Sequence, residues 1–102
     1  MKVYISGPIT GLPNENREAF EEAEKALRKA GHIPANPHVF CQDIPRDAPH
    51  SVFMRRCMKI LEVCDVITPL QGYTQSDGCR QEMRRAAELG MKLYDVDALC
   101  AN

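Results

Sequence analysis

Short β-prone runs and amphipathic helical runs alternate along the whole chain, and that alternation allows few folds. Val3-Tyr4-Ile5 is a β-prone run that ends at Gly7-Pro8. A helix then reads to about Ala30 and stops at Gly31, followed by a second strand from His32 to about Asn36. A further helix covers about Val52 to Val63, with Ser51 as its cap, and Asp65-Val66-Ile67-Thr68-Pro69-Leu70 reads as a buried third strand. A helix behind Ser76 runs to Gly90, Lys92 to Val96 is a fourth strand, and the tail is one short helical turn. Such a sequence gives an α/β fold: a parallel sheet of four to five strands with right-handed crossovers and helices on both faces. A length of 102 residues suits one domain over 1–102, with a small core drawn from 44% hydrophobic residues.

The first helix shows why the pattern is amphipathic. Asn14 or Asn16 can cap it, Phe20, Ala23, Leu27 and Ala30 form its apolar side, and Glu21 with Lys25 and Glu24 with Arg28 pair on its outer side. The helix over 52–63 is apolar on much of its surface (Phe53, Met54, Cys57, Met58, Ile60, Leu61), which suits packing on two sides, against the sheet and a second subunit. Between the second strand and this helix, Pro37 to Pro49 is the longest irregular segment, of the kind that serves as a functional lid or interface piece.

A formal net charge of −1 gives no basic surface for nucleic acid. The pairs Arg55-Arg56 and Arg84-Arg85 lie on helices and read as solvated or interface faces. No run is long enough to span a membrane, and the opening residues read as a strand rather than a signal peptide, so a cytoplasmic protein is expected. Five cysteines (41, 57, 64, 79, 100), without a Cys-x-x-Cys pair, give neither a disulfide framework nor a zinc site. The histidines at 32, 38 and 50 lack helical ligand spacing. No metal and no cofactor are therefore expected.

One carboxylate stands out. On the helix behind Ser76, Glu82 shares a face with Gly78, Cys79, Ala86 and Leu89, while Arg80, Arg84 and Glu88 project the other way. Glu82 thus points toward the core among small residues near a helix start. Desolvating a carboxylate is costly, so this position is a candidate for chemistry; a Glu satisfying N–H groups at the helix start would look the same. Ligands of parallel α/β sheets sit beyond the carboxyl ends of the strands. The loop after the first strand (Gly7 to Asn14) should then meet the loop after the third (Gln71 to Gly78), setting Gly7, Pro8, Thr10 and Gly11 opposite Ser76, Gly78 and Glu82. Glycine-rich turns and helix starts both bind anions through backbone N–H groups. The first loop is neither a Walker A loop nor the Gly-x-Gly-x-x-Gly dinucleotide fingerprint. A small anionic ligand with a reactive centre, such as a nucleotide, fits this arrangement.

Tyr4-Ile5-Ser6-Gly7-Pro8-Ile9-Thr10-Gly11, Asn36-Pro37, Cys64-Asp65-Val66-Ile67 and Ser76-x-Gly78-x-x-x-Glu82 with Ala86 and Gly90 resemble, in order and spacing, the nucleoside 2-deoxyribosyltransferase superfamily. The likeness is greatest to short members and to nucleoside 5′-monophosphate N-glycosidases, and it covers nearly the whole chain. The resemblance implies a flavodoxin-like three-layer sandwich and a homodimer with sites near the interface. It also implies cleavage or exchange of an N-glycosidic bond, with Glu82 as nucleophile at the anomeric carbon. By the same resemblance Ser76 and the amides near Gly7 and Gly78 hold a 5′-phosphate, and Tyr4 lines the sugar or base. Pro8, Ile9, Thr10, Gly11, Asn36 and Cys57 complete the implied substrate site.

Two positions depart from the family pattern. The N-glycosidases carry an Asp that assists the leaving base where this chain has Cys57, eight positions before Asp65. A thiol is a poor proton shuttle, and on an apolar helix Cys57 also suits an ordinary core position. Asp77, Tyr73 and His38 are possible substitutes. Thr10 stands where the monophosphate enzymes carry a phosphate-binding Arg, for which Arg80, or Arg55 from a partner, could compensate. Asp65 reads as a residue that fixes the start of its strand. The alternatives to an enzyme are a non-catalytic nucleotide-binding module, a plain interaction subunit and, more remotely, a redox role for Cys57 or Cys79.

Overall fold

Strand β1 (Lys2–Ser6) lies inside a four-stranded parallel sheet in the order β2-β1-β3-β4, in a computed structural model that describes residues 1–101. Its partners are β2 (Ile33–Ala35), in register Lys2 to Ile33, and β3 (Val66–Pro69), in register Val3 to Val66. Strand β4 (Lys92–Leu93) pairs with β3 through Val66 to Lys92. Between the strands lie α1 (Arg17–Lys29), the single turn α2 (Pro37–Phe40), α3 (His50–Leu61) and α4 (Asp77–Glu88), with α5 (Val96–Cys100) at the end. The arrangement is an α/β sandwich with a parallel sheet, as the alternation predicts, and it is flavodoxin-like, as the family resemblance implies.

The helices form where the apolar spacing demands and stop where glycine permits. On α1, Phe20, Ala23 and Leu27 are buried. Gly31 (φ +90°) then lets His32 N–H reach the Leu27 carbonyl at 2.9 Å while its own N–H bonds Arg28 at 3.0 Å. Gly90 (φ +72°) ends α4 in the same way, with Met91 bonded to Ala86 and Gly90 to Ala87. Both are Schellman endings, which require a left-handed residue just past the helix.

The pleat of β1 divides the core. Val3 and Ile5 face α1 and α5 in a cluster with Phe20, Ala23, Leu27 and Val66. Tyr4 faces the other way, with Cys57 and Leu61 of α3, Ile67 and Ala86 of α4. Asp65 accepts the N–H of Lys2 at 2.7 Å and so ties the start of β3 to β1, the structural role read for it.

Several local expectations are corrected. Asn16 holds the N-cap position of α1, but its side chain makes no capping bond: Asn14, Glu15 and Asn16 are all left-handed, and the Asn16 amide donates to the Pro8 carbonyl at 3.0 Å instead. Helix α3 begins at His50 behind Pro49, so Ser51 lies inside its first turn. The segment from Pro37 to Pro49 is not wholly irregular, because Asn36 accepts the His38 N–H at 3.0 Å and starts α2. Strand β4 stops at Leu93 rather than Val96, since Asp95 caps α5 by accepting the Ala98 N–H at 2.9 Å. No helix among the described residues is long and apolar enough to cross a membrane.

Candidate active site

Ser76 starts α4, its hydroxyl accepting the Cys79 N–H at 3.2 Å. The spacing from Cys79 through Glu82 to Ala86 then turns all three onto the sheet. Leu89, expected on the same face, is 41% exposed because the helix has already begun to end. Beneath Glu82 the pleat of β1 presents Tyr4 and Ser6, two residues apart and therefore on one face. The Tyr4 hydroxyl donates to Oε2 of Glu82, and Ser6 Oγ donates to Oε1 at 2.7 Å. Glu82 is only 5% exposed, and Tyr4 and Ser6 are fully buried.

Each carboxylate oxygen thus carries one hydroxyl donor, which fixes the plane of the group. Burial pushes the Glu82 carboxyl above the usual carboxylate range; the hydrogen bonds from Ser6 and Tyr4 and the Cys57 thiol pull the other way without overcoming it. Burial, followed by the neighbouring Glu82 charge, raises the Tyr4 phenol, so it remains a donor. Burial likewise raises the Cys57 thiol far above an ordinary cysteine, against the pull of Tyr4. Cys79 is raised for the same reason, with Ser6 and Ser76 opposing.

Above this group opens a cleft of about 1100 Å³. The loop after β1 lines one side through Gly7, Pro8, Ile9 and Thr10, and the loop after β3 lines another through Gln71, Gly72, Gln75, Ser76, Asp77 and Gly78. The two loops meet as predicted: a Cβ on Gly72 would lie 3.5 Å from the Pro8 side chain, and one on Gly7 would lie 2.8 Å from Leu70 at the end of β3. At the start of α4 the Asp77 and Gly78 amides have no intrahelical acceptor, and the Ser76 hydroxyl keeps its own proton to donate. The remaining wall comes from the 37–48 segment and α3, including His38, Cys41, Ile44, Phe53, Met54 and Cys57. That segment is stapled to α3 by Arg56, which bonds the Phe40 carbonyl at 2.8 Å and both oxygens of Asp43.

The structure gathers most, not all, of the expected site residues. Glu82, Gly7, Pro8, Ile9, Thr10, Cys57, Ser76 and Gly78 border the cleft. Tyr4 lies under its floor rather than along it. Asn36 is spent on capping α2 and stands away from the cleft, and Gly11 (φ +82°) serves the turn behind it. Of the suggested substitutes for the missing Asp, Asp77 is paired with Arg80 and faces solvent, and Tyr73 is not among the lining residues. His38 does line the cleft, its ring edge-on to Phe20 and its Nε2 bonded to the Glu15 carbonyl at 2.9 Å. Arg80, offered as a compensating cation, bonds Asp77 and the Thr74 carbonyl and is no part of the cleft.

Sequence reading missed Ser6, although its two-residue spacing from Tyr4 was signal enough. It also missed Arg17 and Arg46, brought to the cleft mouth by Glu15, whose Oε1 lies 2.6 Å from Arg46 and 3.5 Å from Arg17. No spacing rule relates these three, since Arg46 arrives from a distant loop. Among the described residues no three His, Cys, Asp or Glu side chains cluster as a metal would require.

Comparison with known proteins fits this architecture. A 2-deoxyribosyltransferase from Bacillus psychrosaccharolyticus superposes with a TM-score of 0.73 at 17% identity, over 91% of this chain and 69% of that one. A 2-deoxyribosyltransferase from Leishmania mexicana gives 0.69 at 19% identity, over 92% of this chain and 62% of that one. The chain therefore spans under two thirds of the Leishmania enzyme's length, and what is shared with both is the fold. No curated protein matches the sequence. Residues 1–95 match the family described as a domain of unknown function, DUF4406. The chain, with the fold of the 2-deoxyribosyltransferases expected from its motifs, belongs to the DUF4406 family.

Proposed function

We propose that this chain cleaves or transfers the N-glycosidic bond of a nucleoside or nucleotide, with Glu82 as nucleophile at the anomeric carbon. The observation that carries the reading is a buried carboxylate held by two hydroxyl donors at the floor of a cleft, beside a helix start with free amides. The two hydroxyls fix the carboxylate's orientation, and burial strips it of water that would blunt its attack on an oxocarbenium-like carbon. Ser76 and the Asp77 and Gly78 amides suit an anionic group such as a 5′-phosphate at the α4 end. Tyr4 and Ser6 act as positioning residues for Glu82. The test is chromatography of free base released from a panel of nucleosides and 5′-monophosphates. Release that disappears in Glu82→Ala is the expected result, and absence of release from the whole panel rejects the reading.

Cys57 favours a second reading, a nucleotide-binding module without catalysis, because the group facing Glu82 is a tightly held thiol rather than an acid. Ligand-induced thermal stabilisation that Glu82→Gln leaves unaltered, with no base released, would select it. The homodimer expected from the apolar surface of α3, whose Met58 and Ile60 pack partly on this chain's own core, is checked by sedimentation.

A further inference from the structure

A neutral nucleobase departs from its sugar as an anion unless it is protonated, and glycosidases of the two-carboxylate type supply that proton from a second acid. On the glycosidase reading, on which this inference rests, Glu82 is the nucleophile. The only other carboxyls lining the cleft among the described residues are Glu15 and Asp77, each already held by arginine. His38 does not fill the role. Its Nε2 faces a carbonyl, which only accepts, so the ring proton sits there and Nδ1 is bare; burial also holds the ring below an ordinary histidine, keeping it neutral. His50 also lines the cleft, but it stands about two turns of α3 ahead of Cys57, by Gly78 at the α4 start where the anionic group is placed. What faces Glu82 is Cys57, with Cys41 behind it, and both thiols hold their protons more tightly than usual because they are buried.

We propose that the substrates of this site are N-glycosides whose base already carries a positive charge, pyridinium or N7-alkylated purine nucleosides and their 5′-phosphates, which depart without being protonated. The C1′–N bond breaks with its electron pair going to the ring nitrogen system, which cancels the positive charge and releases a neutral base. A Glu82 oxygen forms the ester bond to C1′. In the second step water oxygen bonds C1′, the ester C–O bond breaks, Glu82 leaves as carboxylate and the water's proton passes to solvent. The cleft suits a cationic ring: Phe53, one helical turn before Cys57, lines the wall, and the Glu82 charge lies at its floor. The thiol facing Glu82 donates no proton, which costs such a substrate nothing and disables cleavage of a neutral one.

The experiment measures base release from nicotinamide mononucleotide and 7-methylguanosine 5′-monophosphate beside adenosine and guanosine 5′-monophosphates, and from the four nucleosides. Each rate is divided by the rate in buffer alone, with Glu82→Ala run in parallel. The expected result is a Glu82-dependent enhancement at least about 100-fold greater for the charged bases, the low end of what a general acid contributes. Cys57→Asp, checked for folding by its melting curve, should narrow that gap by about tenfold or more. Glu82-dependent cleavage of neutral nucleotides with equal enhancement would overturn the inference and leave the glycosidase reading standing. No release from any substrate would overturn both.

Discussion

The two faces of the sheet are built from the same strand and have opposite characters. On the α1–α5 side β1 contributes Val3 and Ile5 to a cluster of hydrocarbon side chains. On the α3–α4 side it contributes Tyr4 and Ser6, which meet a carboxylate under an open cleft. The first face is arranged to be stable and the second to hold a charge in a place where charge is costly. The contrast teaches that a chain of 102 residues separates these tasks by the two-residue alternation of one strand.

One substitution in each face separates the two roles. Glu82→Ala should lower base release by about a thousandfold or more, the scale on which loss of a nucleophile is felt. Measured at the same temperature, Leu27→Ala should leave turnover per folded molecule unchanged and cost about 3 kcal/mol, since it opens a cavity in the apolar face. Denaturant unfolding reads this directly, and a turnover loss as large as the stability loss would mean that the faces are not separate.

Smaller changes sharpen the picture. Tyr4→Phe removes one donor to the carboxylate, so the Glu82 pKa should rise further and the acid limb of the rate profile move to higher pH. A loss of about tenfold on the acid limb, recovered at higher pH, is expected from one hydrogen bond to a charged group. The smallest effect is in stability. Burial makes the folded chain hold the Glu82 proton more tightly than the unfolded chain does. As pH rises the unfolded chain releases its proton first, so stability falls between the ordinary carboxylate pKa and the raised folded one, and stays lower above it. Glu82→Gln does not titrate, and its melting temperature should therefore gain on that of the parent from pH 4 to pH 8, by about 4 °C. A gap that shrinks with pH would mean that the hydroxyl donors outweigh burial.

Much of this was legible in the residues. The alternation of runs gives the parallel sheet, and the three- and four-residue spacings around Glu82 turn it inward. What escaped was whatever depends on partners remote in sequence. Arg46 reaches the cleft because Glu15 holds it, and Asn36 is withdrawn from the cleft because the His38 amide needs an acceptor. Capping was misread at Asn16 for a related reason: the residue qualifies by type, but the Pro8 carbonyl claims its side chain. Propensity describes what a residue can do locally, and a tertiary competitor decides which of its options is used.

Three consecutive residues other than glycine, Asn14, Glu15 and Asn16, have φ between +50° and +61°. Such a conformation opposes L side chains by about 1–2 kcal/mol each, and asparagine tolerates it better than glutamate. At position 15 the backbone therefore favours glycine or asparagine, while the cleft mouth favours the carboxylate that gathers Arg17 and Arg46. Natural variation there would be a readout of which demand governs. Chains that take glycine at 15 should also be free to lose the arginine at 46, and chains that retain a glutamate should retain a cation to meet it.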